Sequence, residues 1–419
     1  MKKRLIVPGV ILLTVILLAF TSNDKSKKGF VKVEGQNLVM PDGKMLHIKG
    51  TNLGNWLNAE GYLLGLKNSA SSYRQMDEAF REMVGEAFTD QFWRNFQQQY
   101  VTKEDISFIA KTGMNTIRLP FHYKLLTNEP FMGYASKQHG YALLDSVIGW
   151  CKDAGLYVIL DMHVAPGGQT GMNIDDSYGY PWLFETDQHK QQFCDIWKEL
   201  AKHFVSNTTV LAYDVINEPI ASSFFKNDTA RLNKQLDSLL RRVTKVIRTV
   251  DKNHIVMLSG SQWGNDYSIF TDWKFDNNIM FTCHRYHCDT TEAGIKDFLD
   301  YRTKFNLPFY MGETGHEPDQ WIAGFRRLLE RVNIGWTYWP YKKMRKDAKQ
   351  NGMVYMEEPA NWQLVVDYAE SDRRSFELIR KNRPNPELAR AAFNGLIQQI
   401  TFRNCIKDEG YIKALGMMP

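Results

Sequence analysis

The chain has 419 residues, of which 43% are hydrophobic and 24% are charged; this is the composition of a folded globular protein and excludes extensive disorder. The formal net charge of +5 arises at the N-terminus, because the first 28 residues carry six basic side chains and one acidic one. The rest of the chain is neutral, so its charge gives no support to a nucleic-acid partner.

The N-terminal segment has the pattern of an export signal. A basic run at residues 2–4 precedes the uncharged apolar stretch Leu5–Phe20, and small polar residues follow. These are the parts of a secretory signal. The stretch is short for a membrane span of about 20 residues, but tilt or snorkelling would let residues 5–20 act as a membrane tether. We expect residues 1–23 to be a signal peptide or signal anchor, residues 24–30 a polar linker, and the location extracytoplasmic.

Beyond this linker, apolar strand-like segments alternate with amphipathic helical ones such as Phe193–Phe204. A Gly-rich segment at 165–182 and an insertion at 342–368 are predicted to be rim loops. Eight βα units predict an α/β fold, a single-domain (β/α)8 TIM barrel over residues 31–419. The eight predicted strands are Met45–Asn52, Asn115–Arg118, Tyr157–His163, Val210–Asn217, Ile255–Ser259, Ile279–His284, Phe309–Glu313 and Gly335–Trp339.

Two of the predicted strands lead into a glutamate. The strand Val210–Asn217 is followed directly by Glu218, and the strand Phe309–Glu313 ends in Glu313. A carboxyl group at the end of a buried strand is costly unless a site uses it. The carboxyl ends of barrel strands meet at one rim, and glycoside hydrolysis needs two carboxyl groups there.

Other predicted strands also end in polar or aromatic side chains. Arg118 supplies a fixed positive charge and Tyr286 a hydroxyl donor, and both can keep Glu313 ionised. The amide of Asn217 can bind a sugar 2-hydroxyl, a contact that strengthens in the transition state. The predicted contacts to sugar or to the two carboxylates are Arg118, His163, Asn217, His284, Tyr286 and Trp339.

This set of residues resembles glycoside hydrolase family 5, the cellulase-type family of retaining barrel glycosidases. The segments Lys49–Trp56 and Leu160–Gln169 are also similar to its exo-glucanase and glucosylceramidase-like branches. A lone Asn-Glu-Pro is a weak signal, but the whole set in order across about residues 30–400 is specific. The matching positions are Arg118, His163, Asn217-Glu218-Pro219, His284-x-Tyr286, Glu313 and Trp339.

The resemblance implies a double displacement in which Glu218 is the acid/base and Glu313 the nucleophile. It also implies that His284 and Tyr286 orient Glu313 and that Trp339 forms the floor under the reacting sugar. Such a mechanism requires the two carboxyl groups to lie about 5 Å apart. The implied partner is a β-linked oligo- or polysaccharide, with a β-glucan or β-glucoside favoured, and no cofactor is expected.

The sequence leaves several alternatives open. The same site could serve a β-mannan, xylan or glycolipid-directed β-glycosidase, or a transglycosylase in which a sugar replaces water. A non-catalytic carbohydrate-binding protein could also retain this fold. Trp56, Trp182 and Trp263 follow predicted strands and could either build sugar subsites or pack in the interior. Endo or exo action and the oligomeric state are not decided.

A metallohydrolase is a further alternative. Cys283, His284, His287 and Cys288 form a local cluster, but neither Cys-x2-Cys nor His-Glu-x-x-His occurs in the sequence. We therefore predict no metal site. The five cysteines do not have the spacing of a disulfide framework, and the sequence does not decide whether any of them pair.

Overall fold

The computed structural model describes residues 29–66, 69–221, 225–345 and 352–419. The predicted signal or anchor at residues 1–23, and most of the predicted linker, lie outside the described residues. Within the described ranges, every helix is too short or too polar to cross a membrane.

The strands of the described ranges form a closed parallel barrel and two small sheets. The barrel consists of eight neighbouring strands in the order β10-β3-β4-β5-β6-β7-β8-β9, which confirms the predicted (β/α)8 fold. The strands are β1 (Lys32–Glu34), β2 (Asn37–Val39), β3 (Lys49–Asn52), β4 (Thr116–His122), β5 (Tyr157–Val164), β6 (Val210–Asp214), β7 (Ile255–Ser259), β8 (Ile279–His284), β9 (Phe309–Glu313), β10 (Gly335–Tyr338), β11 (Lys342–Met344), β12 (Val354–Met356) and β13 (Ile406–Lys407).

Helices surround the barrel and bury their apolar faces against it. On the longest one, the buried residues Leu232, Leu236, Leu240, Val243 and Ile247 recur every three or four positions and form one stripe. The α-helices of the described ranges are α1 (Tyr73–Val84), α2 (Glu86–Gln99), α3 (Lys103–Lys111), α4 (Lys137–Ala154), α5 (Asp187–Phe204), α6 (Thr229–Arg248), α7 (Ser261–Gly264), α8 (Lys296–Phe305), α9 (Asp319–Arg331), α10 (Trp362–Glu370), α11 (Phe376–Asn382), α12 (Pro386–Gln399) and α13 (Glu409–Ala414). Short 3-10 turns lie at Gly61–Leu64, Tyr123–Leu126, Asn173–Asp175, Trp182–Phe184, Glu292–Ile295 and Phe402–Asn404.

Several strand ends differ from the prediction. The first barrel strand begins at Lys49, because Met45 forms an antiparallel bridge to Val39 outside the barrel. The fourth ends at Asp214, because the chain turns before Glu218, which has a φ of 44°. The second continues to His122, since each of its residues pairs with β5. Strands β7, β8 and β9 have their predicted bounds.

One end of the barrel is closed by a hairpin. Strands β1 and β2 pair antiparallel, and Leu38 together with Val31 packs on side chains of the barrel interior such as Ile159 and Met280. These contacts lie at the amino ends of the strands. The open end is therefore the rim formed by the carboxyl ends, where barrel enzymes carry their sites.

The insertion after β10 supplies β11 and β12 of the second small sheet, and β13, near the C-terminus, pairs with β12. The fully buried Lys342 holds this sheet to the helices around the barrel. Its Nζ lies 2.8 Å from Asp105 Oδ1 and donates to the backbone oxygens of Tyr100 (2.5 Å) and Ile400 (2.9 Å). The helix α10 begins in this insertion, at Trp362.

Gly50 marks the closest approach of two barrel strands, and its replacement tests this packing. A Cβ atom at Gly50 would lie 1.9 Å from the carbonyl oxygen of Thr116 on β4. We expect Gly50→Ala to lower the free energy of unfolding by about 1–3 kcal/mol, as overpacking does. Gly149→Ala is the control, because a Cβ atom there has no neighbour within 4 Å and α4 gains a better helix former. Equal urea midpoints for the two variants would contradict the expectation.

Candidate active site

The carboxyl ends of the barrel strands surround a cavity of about 640 Å³. The structure brings all eight predicted site residues together here. Arg118 lies beneath the cavity and is fully buried. The other seven line it: His163, Asn217, Glu218, His284, Tyr286, Glu313 and Trp339.

Glu218 lies just beyond the end of β6 in a left-handed backbone conformation, with a φ of 44°. Its Oε1 is 2.9 Å from Nδ1 of His284, and its side chain keeps 20% of its exposure. Burial raises the pKa of Glu218 to about 7, although His163 acts in the opposite direction. A carboxyl group that gains and loses a proton near neutral pH suits general acid/base chemistry.

Glu313 ends β9 and is held by two donors. Arg118 Nη1 donates to Oε1 over 2.6 Å, and the hydroxyl of Tyr286 donates to Oε2 over 3.1 Å. Burial raises the pKa of Glu313, and the positive charge of Arg118 opposes that rise. Both bonds stabilise the ionised carboxylate, which is the form that a nucleophile requires.

The two glutamates face each other across the cavity floor. One carboxylate oxygen of Glu218, one of Glu313 and one ring nitrogen of His284 all lie within 4.8 Å of one another. This places the carboxylates in the short range that double displacement uses, whereas inversion needs about 6.5–9.5 Å to admit a water molecule. The arrangement therefore has the geometry predicted for a retaining glycosidase.

Arg118 is the hub beneath the two glutamates. Besides its bond to Glu313, it donates to Asp214 from Nε (2.8 Å), to Asn52 from Nη1 (3.2 Å) and to Asn217 from Nη2 (2.9 Å). Its Nη2 also lies 3.0 Å from Asp161 Oδ1. The rigid fork of the guanidinium thus fixes the end of β9 relative to β3, β5 and β6.

Sequence reasoning missed several members of this network. Glu60 lies on the loop after β3, is buried, and has its Oε1 3.1 Å from His163 Nε2. Asp161 Oδ2 lies 2.7 Å from Nδ1 of the same ring. Burial opposes the charged form of His163, but these two carboxylates outweigh it and raise the His163 pKa well above its usual value. Asp161 and Asp214 could have been found from the sequence, because each is an acidic residue inside an apolar strand. Glu60 has no comparable signal.

The structure gives the contacts of three more of the predicted residues. His284 has its short contact with Glu218 and lies 3.7 Å from Glu313, so it is placed between the two carboxylates. Asn217 uses its Oδ1 to accept from Arg118. Trp339 is only 2% exposed and donates from Nε1 to the hydroxyl of Tyr62 over 2.6 Å.

The tryptophans left open by the sequence have different locations. Trp263 lines the cavity, on a short segment with a left-handed backbone. Trp56 is fully buried and donates to the backbone oxygen of Gln97, which is a packing role. Trp182 is 42% exposed and lies on a separate depression beside Tyr178.

Comparison with known proteins identifies relatives of this barrel. The family model described as cellulase (glycosyl hydrolase family 5) matches residues 76–345. A beta-xylosidase of Phanerodontia chrysosporium is 30% identical over 61% of this chain and 52% of its own length. Endoglucanase C of Acetivibrio thermocellus is 25% identical over 58% of this chain and 85% of its own length.

The chain thus spans about half the length of the beta-xylosidase and most of the endoglucanase. Among solved structures, the fold is similar to a beta-glucanase of Saccharophagus degradans in complex with cellotetraose. The TM-score is 0.53 with 15% identity, over 88% of this chain and 94% of the other. At that identity the likeness concerns the fold alone.

Removal of the Arg118 charge tests whether the network depends on it. In Arg118→Met, the buried carboxylates of Asp161, Asp214 and Glu313 lose their shared cation. We expect the free energy of unfolding to fall by about 3–5 kcal/mol, measured by urea denaturation.

Arg374→Met is the matched control, because Arg374 forms an exposed pair with Asp372 and should leave the urea midpoint unchanged. An Arg118→Met midpoint equal to that of the wild type would show that the hub does not support the fold.

Proposed function

Because the chain belongs to the cellulase family, glycosyl hydrolase family 5, we propose that it hydrolyses a β-glycosidic bond with retention of configuration. The observation that carries this proposal is that one carboxylate oxygen of Glu218 and one of Glu313 lie within 4.8 Å of each other, while the two groups have different surroundings. Glu218 has a pKa near neutrality, and Glu313 is bonded to a buried arginine. These are the properties that the two steps require.

In the first step, the protonated Glu218 donates its proton to the glycosidic oxygen while Glu313 attacks the anomeric carbon. The leaving sugar departs and a glycosyl ester to Glu313 forms. In the second step, the ionised Glu218 removes a proton from water, which attacks the same carbon and releases Glu313. Two inversions give net retention. His284, in contact with Glu218 and 3.7 Å from Glu313, can hold both carboxylates in line for these steps.

The proposed substrate is a β-glucan or β-glucoside. Support comes from the endoglucanase relative, whose match covers 85% of that protein. A β-xyloside is the second candidate, since the relative at 30% identity is named a beta-xylosidase. Chromatography of products from β-glucans, xylan, mannan and glycolipids would distinguish these and separate endo from exo action. Longer products in place of free sugar would indicate transglycosylation.

We also propose that the protein acts outside the cytoplasm. The support is the basic and apolar pattern of residues 1–23, with residues 5–20 as a tether if the segment is retained. Fractionation of cells followed by N-terminal sequencing tests this. A chain found in the cytoplasm with its first residues intact would contradict it.

Substitution of each glutamate tests the two roles separately. Glu313→Gln should lower kcat/KM on every substrate by at least about 1,000-fold, because no covalent intermediate can form. Glu218→Ala should still release nitrophenol from a 4-nitrophenyl β-glycoside in a burst, since that leaving group needs little protonation. Added azide should then restore turnover and give a β-glycosyl azide, which NMR can identify.

Glu199→Gln is the control for these variants, because Glu199 is an exposed residue of α5 and should leave the rates unchanged. An inverted product, an inactive wild type on the whole panel, or activity lost in a chelator would each contradict the proposed mechanism.

The pKa of Glu218 sets the alkaline limit of activity. The first step needs the protonated acid, and with a pKa of about 7 only about a tenth of Glu218 carries its proton at pH 8. We expect kcat/KM to fall about tenfold per pH unit above pH 7. With a dinitrophenyl glycoside, which needs no acid assistance, kcat/KM should not fall above pH 7.

That control matters because burial also raises the pKa of Asp214 to about 7. If kcat/KM still falls above pH 7 with the dinitrophenyl substrate, the alkaline limit belongs to Asp214 or another group and not to Glu218.

A further inference from the structure

A second depression borders the Gly-rich loop 165–182 that follows β5, and the mechanism above does not use it. Its volume is about 260 Å³. Gln169 and Thr170 of this loop line the catalytic cavity. Gly167 and Gly168 line the depression, and Asp175 lines both hollows. The depression is therefore adjacent to the catalytic cavity, with one loop between them.

Two aromatic side chains of this depression are exposed to solvent. Tyr178 keeps 72% of its accessible surface, and Trp182, four residues later, keeps 42%. A single exposed ring is common on a protein surface, whereas two rings that border one hollow form a contact surface. A ligand in the depression can therefore touch both side chains directly.

Neighbouring side chains hold the two rings in place. The guanidinium carbon of Arg74, which lines the same depression, lies 4.3 Å from the ring centroid of Tyr178. The ring of Trp182 packs edge to face on Tyr180 at 5.5 Å. The hydroxyl of Tyr180 in turn accepts from Arg231 Nη2 over 2.7 Å. Rings that are already ordered lose little freedom when a ligand binds, which favours binding.

The loop that carries the two rings is itself fixed by buried carboxylates. Asp175 accepts from the backbone N–H groups of Gln169 (2.7 Å) and Thr170 (2.6 Å). Asp176 Oδ2 lies 3.0 Å from Nε2 of the buried His122. None of these bonds uses the side chain of Tyr178 or Trp182. The exposed rings can therefore be replaced without removing the contacts that shape the loop.

The lining of the depression indicates the class of its ligand. Arg74 and Lys124 are cationic and Asp176 is anionic, so an uncharged ligand avoids repulsion by either sign. A pyranose ring has an apolar face of C–H groups, which packs on aromatic rings, and hydroxyl groups at its edge, which bind polar side chains. A protein partner fits the hollow less well, because a stable interface buries about 800 Å² on each side.

We propose that this depression is a second carbohydrate-binding site, in which Tyr178 and Trp182 hold an uncharged β-glycan chain outside the catalytic cavity. A polymer held there stays close to the two glutamates, which raises its effective concentration at the cavity. A short glycoside that fills only the cavity gains nothing from the site. The effect on polymer cleavage rests on the proposed function, whereas the binding itself does not.

Four substitutions separate the rings from the rest of the surface. Tyr178→Ala and Trp182→Ala each remove one exposed ring, and Trp182→Phe keeps a flat ring at the same position. Phe376→Ala is the control, because Phe376 is 67% exposed on α11 and does not line the depression. Equal urea midpoints for the four variants will show that the fold is retained.

Binding is measured without cleavage, with every substitution placed in the Glu313→Gln chain. Migration in native gels that contain β-glucan, xylan or mannan gives a Kd for each polysaccharide. On the polysaccharide that retards the Glu313→Gln parent most, we expect Tyr178→Ala and Trp182→Ala to raise the Kd at least about fivefold. Trp182→Phe should stay within about twofold of the parent, and Phe376→Ala should equal it.

Activity is measured with the same substitutions in the wild-type chain. For the polysaccharide that binds, we expect Tyr178→Ala and Trp182→Ala to raise KM about fivefold with kcat within about twofold of the wild type. On a 4-nitrophenyl β-glycoside, kcat/KM should stay within about twofold of the wild type in every variant, because this substrate fills only the cavity.

Equal retention of Tyr178→Ala, Trp182→Ala and Phe376→Ala would overturn the inference, as would a parent that no polysaccharide retards. An equal loss on the aryl glycoside and the polymer would also overturn it, since the rings would then act through the loop of the catalytic cavity. Binding to vesicles of phosphatidylethanolamine and phosphatidylglycerol that is lost in Trp182→Ala, without retention by polysaccharide, would instead assign the surface to a membrane.

The two proposals can fail separately. If the wild type cleaves no glycoside but a polysaccharide retards the parent more than Trp182→Ala, the proposed function fails and the second site stands. If the wild type cleaves its substrate and the rings affect neither retention nor KM, the proposed function stands and the second site fails.

Discussion

The site depends on one buried positive charge. Arg118 is fully removed from water, and burial acts to lower its pKa; Asp161, Asp214 and Glu313 overcome that and raise it well above its usual value. The carboxylates therefore offset the cost of burying this charge, and the charge in turn favours their ionised form. A planar fork with fixed donor directions also fixes geometry, which an ammonium group cannot do. Arg118 thus sets both the protonation state of the carboxyl groups around it and the position of Glu313.

The same environment makes two chemically identical side chains behave differently. Glu313 touches the guanidinium directly, whereas Glu218 contacts His284 and is separated from the hub. Burial raises the pKa of both, but only Glu313 has a cation in contact to oppose it. The cation at His163, held by Glu60 and Asp161, opposes the rise in pKa at both glutamates. Different surroundings of two neighbouring carboxyl groups are what assign acid and nucleophile roles.

How much of this could be predicted from the sequence depends on where each residue lies. Strand-end residues such as Glu313 and His284 follow sharply bounded apolar runs, so the pattern of the sequence is enough to predict their position at the rim. Glu60 could not be predicted, because it lies on a loop whose course is set by tertiary contacts: its backbone N–H donates to Asn55, and it forms a bridge with Ser72. The contact of His284 with Glu218 also depends on the turn after Asp214, which no periodicity reveals.

The burial of Trp339 shows that loop residues can cover a side chain at the end of a barrel strand. Its ring stacks on His163 at 5.3 Å, and its Nε1 is bonded to Tyr62, so little of the indole faces the cavity. Tyr62, from the loop after β3, adds aromatic surface to the same cavity. Barrel strands therefore fix the reacting groups, whereas loops decide which glycan reaches them. Relatives that share the strand-end set can thus differ in substrate without any change in the two glutamates.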